Sequence, residues 1–255
     1  DFEAFGPTLA RVRDKARKDE SGRKPFDVVL MFKILILHTL YNLSDDQLEY
    51  QIRDRISFMQ FLGLRLDDRV PDAKTIWLFG DALAKLGLVE RLFDQFDADL
   101  IAAGFVAQKG SIVDASIIEA PRQRNTREDN AHIRDGRTPE SFGENPCKHR
   151  QKDTDARWVT KQSKRSFGYK NHINVDVKHK LIRKYAVTDA AVHDSQVIDP
   201  LLDKHNTNAD VFGDSAYRSA AIRNHLEALG YRDRIHRKGY RHQPLTPSQK
   251  ASNRR

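Results

Sequence analysis

The sequence predicts an α/β protein in two parts: an all-α N-terminal domain, then a mixed sheet flanked by helices. Three observations predict it. Apolar residues recur at helical spacing through residues 25–104, and the period changes to two after Gly110. The last part then runs strand, insertion, hairpin, helix, strand, helix, strand, the mixture from which layered α/β folds are built. The 255 residues can bury a real core, and 31% charged against 39% hydrophobic residues describes a globular chain. Net charge is +8. Residues 232–255 carry eight Lys/Arg against one acid, Asp233, so this tail holds +7 of the excess. Alone, that is a solvated basic end; in context it favours a polyanionic partner.

Residues 1–24 are polar and basic and read as an arm. "PFDVVLMFKILILHTLY" places Pro25 near a first helical turn and is apolar nearly all round, so it reads as a central core helix. "SDDQLEYQI" has Ser44 and Gln47 three residues apart, a capping-box pattern, with Leu48 and Ile52 on one face. Asp72 can cap the next helix, whose Ile76, Phe79, Leu83 and Leu86 keep helical spacing until Gly87. Val89, Leu92, Phe93, Phe96 and Leu100 mark another, ending at Gly104. Residues 25–105 are thus a bundle of four or five helices. Such a bundle in a basic protein can read DNA through a helix-turn-helix, or serve packing and dimerisation. The pattern leaves both open.

Residues 106–255 form the α/β part. "SIVDASIIEA" is a strand. Residues 121–165 carry twelve Lys/Arg against seven acids and few aliphatics, so they read as a long excursion or flexible insertion. "FGYKNHINVDV" and "LIRKYAVTDAAV" are alternating strands joined by "KHK", a hairpin. "HDSQVIDPLLDKH" reads as a helix, "ADVFGDSA" as a strand, "SAAIRNHLEALGY" as a helix closed by Gly230, and "RDRIHRK" as a last strand. One cysteine, Cys147, excludes an internal disulfide and fits a reducing compartment. The longest apolar run, residues 28–40, is too short to span a bilayer and contains Lys33 and His38, and no signal peptide is expected.

Two aspartates are set into hydrophobic strand-like runs: Asp114 after Ile112-Val113, and Asp214 after Val211-Phe212-Gly213. Each can be a turn or cap residue. A carboxylate at a strand end is also rigid and faces the crevice there. Two on neighbouring strands can share a hard divalent ion, Mg²⁺ or Mn²⁺, which takes phosphate oxygens as further ligands. Such ions promote in-line phosphoryl displacement, and a basic surface makes a nucleic-acid backbone the natural substrate.

"VDASIIEAP", "FGYKNHINVDVKHKLIRKYAVTDAAVHDSQ" and "GDSAYRS" together resemble a bacterial insertion-sequence transposase of the DDE type, of the fifth insertion-sequence family. "YNLSDDQLEYQIRDRISFMQFLGL" is similar to that family's helical N-terminal domain, and "QKDTDARWVTK" to its basic insertion. The resemblance implies an RNase H-like catalytic domain at 106–255 with a basic insertion, 121–165. It implies that Asp114 and Asp214 are the first two metal-binding and catalytic acids. It implies Mg²⁺ or Mn²⁺, double-stranded DNA partners (terminal inverted repeats and target), a homo-oligomer on DNA, no membrane, and a cytoplasmic, nucleoid-associated setting. Its third acid is a Glu on a helix after the last strand, and this sequence ends at "HRKGYRHQPLTPSQKASNRR" before such a helix. The chain is therefore expected to be a C-terminally truncated piece with poor cleavage, lacking the catalytic domain's C-terminal helix. Glu227 precedes the last strand, and Glu119 lies five residues from Asp114, on the other face of the strand. Neither is assigned to the site. Two rival expectations stand beside this one: a transposase-derived DNA-binding remnant or regulator without catalysis, and a host metal-dependent nuclease.

Other residues carry weaker signals. Asp194 in "AVHDSQ" can cap a helix. His172 lies on the face opposite Ile173 and Val175 and either lines the site or meets water. Trp158 among Arg157, Lys161, Lys164 and Arg165 can stack on a base or anchor the insertion. Lys170, Arg183 and Lys184 can touch phosphates. Cys147, His149 and His132 are too irregular for zinc.

Overall fold

The structure, a computed structural model, describes residues 1–13, 24–144, 147, 149, 151–161, 163–239 and 243–253. It divides into two units, Asp1–Ala103 and Gly104–Arg255. In the first, a 3₁₀ turn, Phe2–Phe5, runs into a short helix α1, Gly6–Ala10. Phe5 and Leu9 are buried in the same apolar core as Val29, Ile34 and Leu92. Residues 1–13 are therefore built into the helical unit and are not an arm. Burying Leu9 alone is worth about 1.5–3 kcal/mol. The rest of the expected arm, 14–23, lies outside the described residues.

Helix α2, Val28–Tyr41, is the central one, with Val28, Val29, Met31, Ile34 and Leu37 buried. Asp27 opens it, accepting from the Leu30 amide at 2.9 Å, so Pro25 lies just outside. The Ser44–Gln47 capping box starts α3, Asp45–Asp54, which buries Leu48 and Ile52. Helix α4 is Ile56–Leu62. Asp72 caps α5, Ala73–Lys85, through the Thr75 amide at 2.7 Å. Gly87, at φ +60, separates it from α6, Leu88–Ala102. Left-handed backbone at that corner suits glycine. No single helix among the described residues is long and apolar enough to cross a membrane.

The second unit is a six-stranded mixed sheet. Its strands are β1 Ser111–Glu119, β2 Arg157–Lys161, β3 Lys164–Asp176, β4 Ile182–Asp189, β5 Asp210–Gly213 and β6 Arg232–Asp233. β1 pairs antiparallel with β3 from Ser111↔Asp176 to Glu119↔Gly168, and parallel with β5. β5 pairs parallel with β6. β2 and β4 share the far edge of β3, β2 taking Lys164–Gly168 and β4 the rest. The spatial order β4-β3-β1-β5-β6, three antiparallel strands and then two parallel ones, is the RNase H-like arrangement. Gly168 is needed where β1, β2 and β3 cross, since a Cβ there would lie 2.1 Å from the Ile118 carbonyl oxygen.

Three expectations are corrected. The insertion 121–165 is not structureless: it forms the helices Arg127–Arg134 and Glu140–Gly143 and contains β2. Ile133 and Phe142 give it buried apolar anchors. Residues 193–205 form no helix, only the 3₁₀ turns Asp194–Val197 and Asp199–Leu201. Pro200 lacks an N–H and its ring would clash with a preceding turn. The last strand is short, Arg232–Asp233 only.

One sheet face is covered. Val113, Ile198, Leu201, Val211, Tyr217, Ile222 and Leu226 form its core, the last two from the helix Ala220–Ala228. Alternation puts Ile112, Asp114, Ser116, Asn171, Ile173, Val175 and Phe212 on the other face, all half-buried or exposed.

Candidate functional site

β5 brings Asp214 to Asp114. The last paired residues of the parallel β1–β5 ladder are Val113 and Gly213. The next residue on each strand is the aspartate, so the two carboxylates leave neighbouring strands at the same level. Both are exposed. Each has one oxygen held by backbone: Asp114 Oδ1 accepts from the Ala115 amide at 2.8 Å, and Asp214 Oδ1 from the Ala216 amide at 2.8 Å. Asp214 is thereby the cap of the 3₁₀ turn Ser215–Tyr217, as well as a strand-end acid. Among the described residues, the remaining oxygen of each makes no hydrogen bond or ion pair. Two exposed carboxylate oxygens on one rung fit two positions of a hard divalent ion such as Mg²⁺ or Mn²⁺, whose other positions are taken by water or phosphate oxygen. Among the described residues, no group of three His, Cys, Asp or Glu side chains is gathered closely enough to hold a metal.

A polar cluster lies behind this rung on the covered face. Tyr217 is fully buried, and a Cβ on Gly213 would meet its ring at 3.5 Å. Among the described residues, its hydroxyl has no hydrogen-bond partner. Burial pushes the phenol upward, with Asp194, Asp114 and Asp214 adding to the shift, so it stays protonated. Asp194 pairs with Lys170 at 2.8 Å, both about one-eighth exposed. Asp194 is thus not the cap expected of it; the His193 ring takes that role, Nδ1 accepting from the Ser195 amide. His172 is fully buried and its Nε2 lies 2.9 Å from Thr188 Oγ1. It does not face water. Burial lowers its pKa, Lys170 lowers it further, and Asp194 opposes.

The other candidates separate. Glu119 is tied to Ser166 Oγ at 2.9 Å and Lys164 Nζ at 3.0 Å, on the face away from Asp114. Lys170 is spent on Asp194, and buried Arg183 on Asp176 and the Phe105 carbonyl, so neither is a phosphate contact. Trp158 is exposed on β2, packed against Phe167. Lys170, His172 and Tyr217 escaped sequence reasoning as one cluster. The available signal was the polar stripe Lys170, His172, Asn174, Asp176 on β3, which alternation read as the wet face.

Two family models match the chain: one described as a transposase domain (DUF772), over residues 1–82, and one described as a transposase DDE domain, over residues 107–254. Among solved structures, the chain is similar to a chain of the cryo-EM structure of the piggyBac transposase synaptic complex with hairpin DNA. The identity is 15% and the TM-score 0.41, over 97% of this chain and 53% of that one, so this chain spans about half its length.

Proposed function

The chain belongs to the transposase DDE domain family, and from that premise we propose that it is a DNA transposase of the insertion-sequence type, in which Asp114 and Asp214 are the metal-binding and catalytic acids. The observation that carries this reading is the parallel pairing of Val113 with Gly213, which brings the next residue of each strand, Asp114 within β1 and Asp214 just past the end of β5, to the same level although they are a hundred residues apart in sequence. They would hold Mg²⁺ or Mn²⁺, which when bound supplies positive charge for a phosphodiester and for the oxygen that attacks it. The chain's own part is to orient: the Ala115 and Ala216 amides fix one oxygen of each acid, so the other points to a constant place. The reaction read from this is hydrolysis at an element end, followed by attack of the freed 3′-hydroxyl on target DNA. The basic balance of the chain suits terminal-repeat and target duplexes, and bringing two ends together suits a homo-oligomer.

The test is nicking of duplex carrying the element's end, against a scrambled end, with Mg²⁺ or Mn²⁺. The reading expects cuts at the true end, lost in Asp114→Asn. Cutting of both ends alike would make the protein a general nuclease. A second reading, DNA binding without cleavage, is favoured by the lack of a third gathered acid among the described residues. It expects a salt-dependent shift of the duplex and no nick with either metal.

A further inference from the structure

Trp158 stands at a set distance from the aspartates on the open face of the sheet. On β2 it lies opposite Phe167 of β3, whereas Asp114 on β1 lies opposite Ile173. Positions 167 and 173 have the same parity, so Trp158 and Asp114 share a face. The two rungs are separated by about 20 Å of strand. Between them the face carries Ser116 opposite Asn171, then Ile118 opposite Tyr169. Among the described residues, the buried Asn171 Oδ1 has no hydrogen-bond partner.

Around Trp158 the surface is cationic. The indole is 39% exposed. It packs on Phe167, ring centroids 5.3 Å apart, with the guanidinium of Arg165 5.1 Å and that of Arg122 5.9 Å from its centroid. Arg122 also lines a cavity of about 510 Å³ with two further cations, Arg124 and Lys152, and one acid, Asp153. The Lys152 ammonium is fixed there by two neutral oxygens, the Arg124 carbonyl and Asn125 Oδ1, each at 2.8 Å.

We propose that this face is a track for an unpaired DNA strand, with Trp158 as the platform on which one nucleobase stacks and Arg122 and Arg165 as clamps on the flanking phosphates. Charge and shape select this occupant. An acidic peptide would use the cations and leave the indole idle. A duplex keeps its base faces inside the stack, so only an unpaired strand can offer one to the ring. A base that takes the ring face frees the guanidinium for the phosphate beside it, which Arg binds in two-pronged fashion. The inference rests on the reading above, because it places the reacting phosphate at Asp114 and Asp214 and the strand's unpaired part toward β2.

The test uses the full chain and three DNAs: a blunt duplex, the same duplex with a thymidine tail of about six nucleotides, enough at ~3.4 Å per step to cover the track, and the same duplex with an abasic tail of equal length. The thymidine tail should tighten binding about tenfold over the blunt end, and the abasic tail, with the same charge, should not. Trp158→Ala should abolish the tail's advantage and leave blunt-duplex affinity unchanged. In a Trp77→Phe background, indole fluorescence should quench with the thymidine tail only. Equal affinity for thymidine and abasic tails overturns the proposal without any variant, and so does a tail advantage that survives Trp158→Ala. Blunt-duplex binding with no tail advantage sinks this inference alone, whereas no binding of any of the DNAs sinks the transposase reading and this inference with it.

Discussion

Replacing Asp214 separates its two jobs. As a cap, its Oδ1 accepts from the Ala216 amide at 2.8 Å. Asparagine offers an oxygen at the same place and caps about as well, whereas alanine offers none and costs about 0.5–2 kcal/mol. As a metal ligand, Asp214 matters through its charge. The carboxylate is exposed, so water's dielectric applies, and a divalent ion at about 2 Å is attracted by about 4 kcal/mol. Displacing the ion's own water offsets part of this, and even a third of it is about tenfold in affinity. Asp214→Asn should therefore melt with the parent and bind Mn²⁺ at least about tenfold more weakly. Asp214→Ala should show the same metal loss and melt about 2–4 °C lower per kcal/mol of cap lost. Calorimetric titration with Mn²⁺ and thermal unfolding read the two effects separately. Unchanged Mn²⁺ binding in Asp214→Asn would refute the metal assignment. Equal melting of the Asn and Ala variants would refute the capping argument.

Three further outcomes follow from the same geometry. Glu119→Gln should leave Mn²⁺ binding and nicking as in the parent, because Glu119 faces away from Asp114; loss of either would mean that the alternation along β1 is misread. Leu9→Ala should destabilise the helical unit by about 2–5 kcal/mol, seen as a lower melting temperature, and an unchanged melt would return residues 1–13 to an arm. His172 is buried, and its pKa in the folded protein lies below the ordinary 6.5. The unfolded chain therefore takes the proton first as pH falls, so stability is whole above about pH 6.5 and declines below it, by at most about 1.4 kcal/mol per pH unit from this group. Denaturant unfolding of His172→Gln should be flatter between that pH and the carboxylate range; an unaltered slope would contradict a neutral buried His172.

Local rules made much of the fold legible. The Ser44–Gln47 box, the Asp72 cap and the Gly87 break act over three or four residues, and each stands where the pattern put it. The strand at Asp114 and the hairpin after the insertion followed from alternation. Local rules failed where a distant partner decided. Residues 2–5 look like the start of a polar arm until α2 and α6 supply apolar surface for Phe5 and Leu9. In residues 121–165 so few apolar side chains are available that Ile133 and Phe142, each buried, do not form a visible period.

By itself, the sequence determined that two aspartates end or interrupt apolar strands, that the chain is basic, and that helices precede a mixed sheet. Tertiary structure alone decided that β5 docks parallel to β1 with Val113 opposite Gly213, which sets Asp114 and Asp214 on one rung. It also decided which face of β3 is covered. Alternation makes two faces and does not say which one another layer will hide. Here the polar stripe is the hidden one: Lys170 is matched by Asp194, His172 by Thr188, Asn174 by the Leu201 carbonyl and Asp176 by Arg183. Every one of those partners lies on another segment, and burying a polar group without such a partner costs free energy.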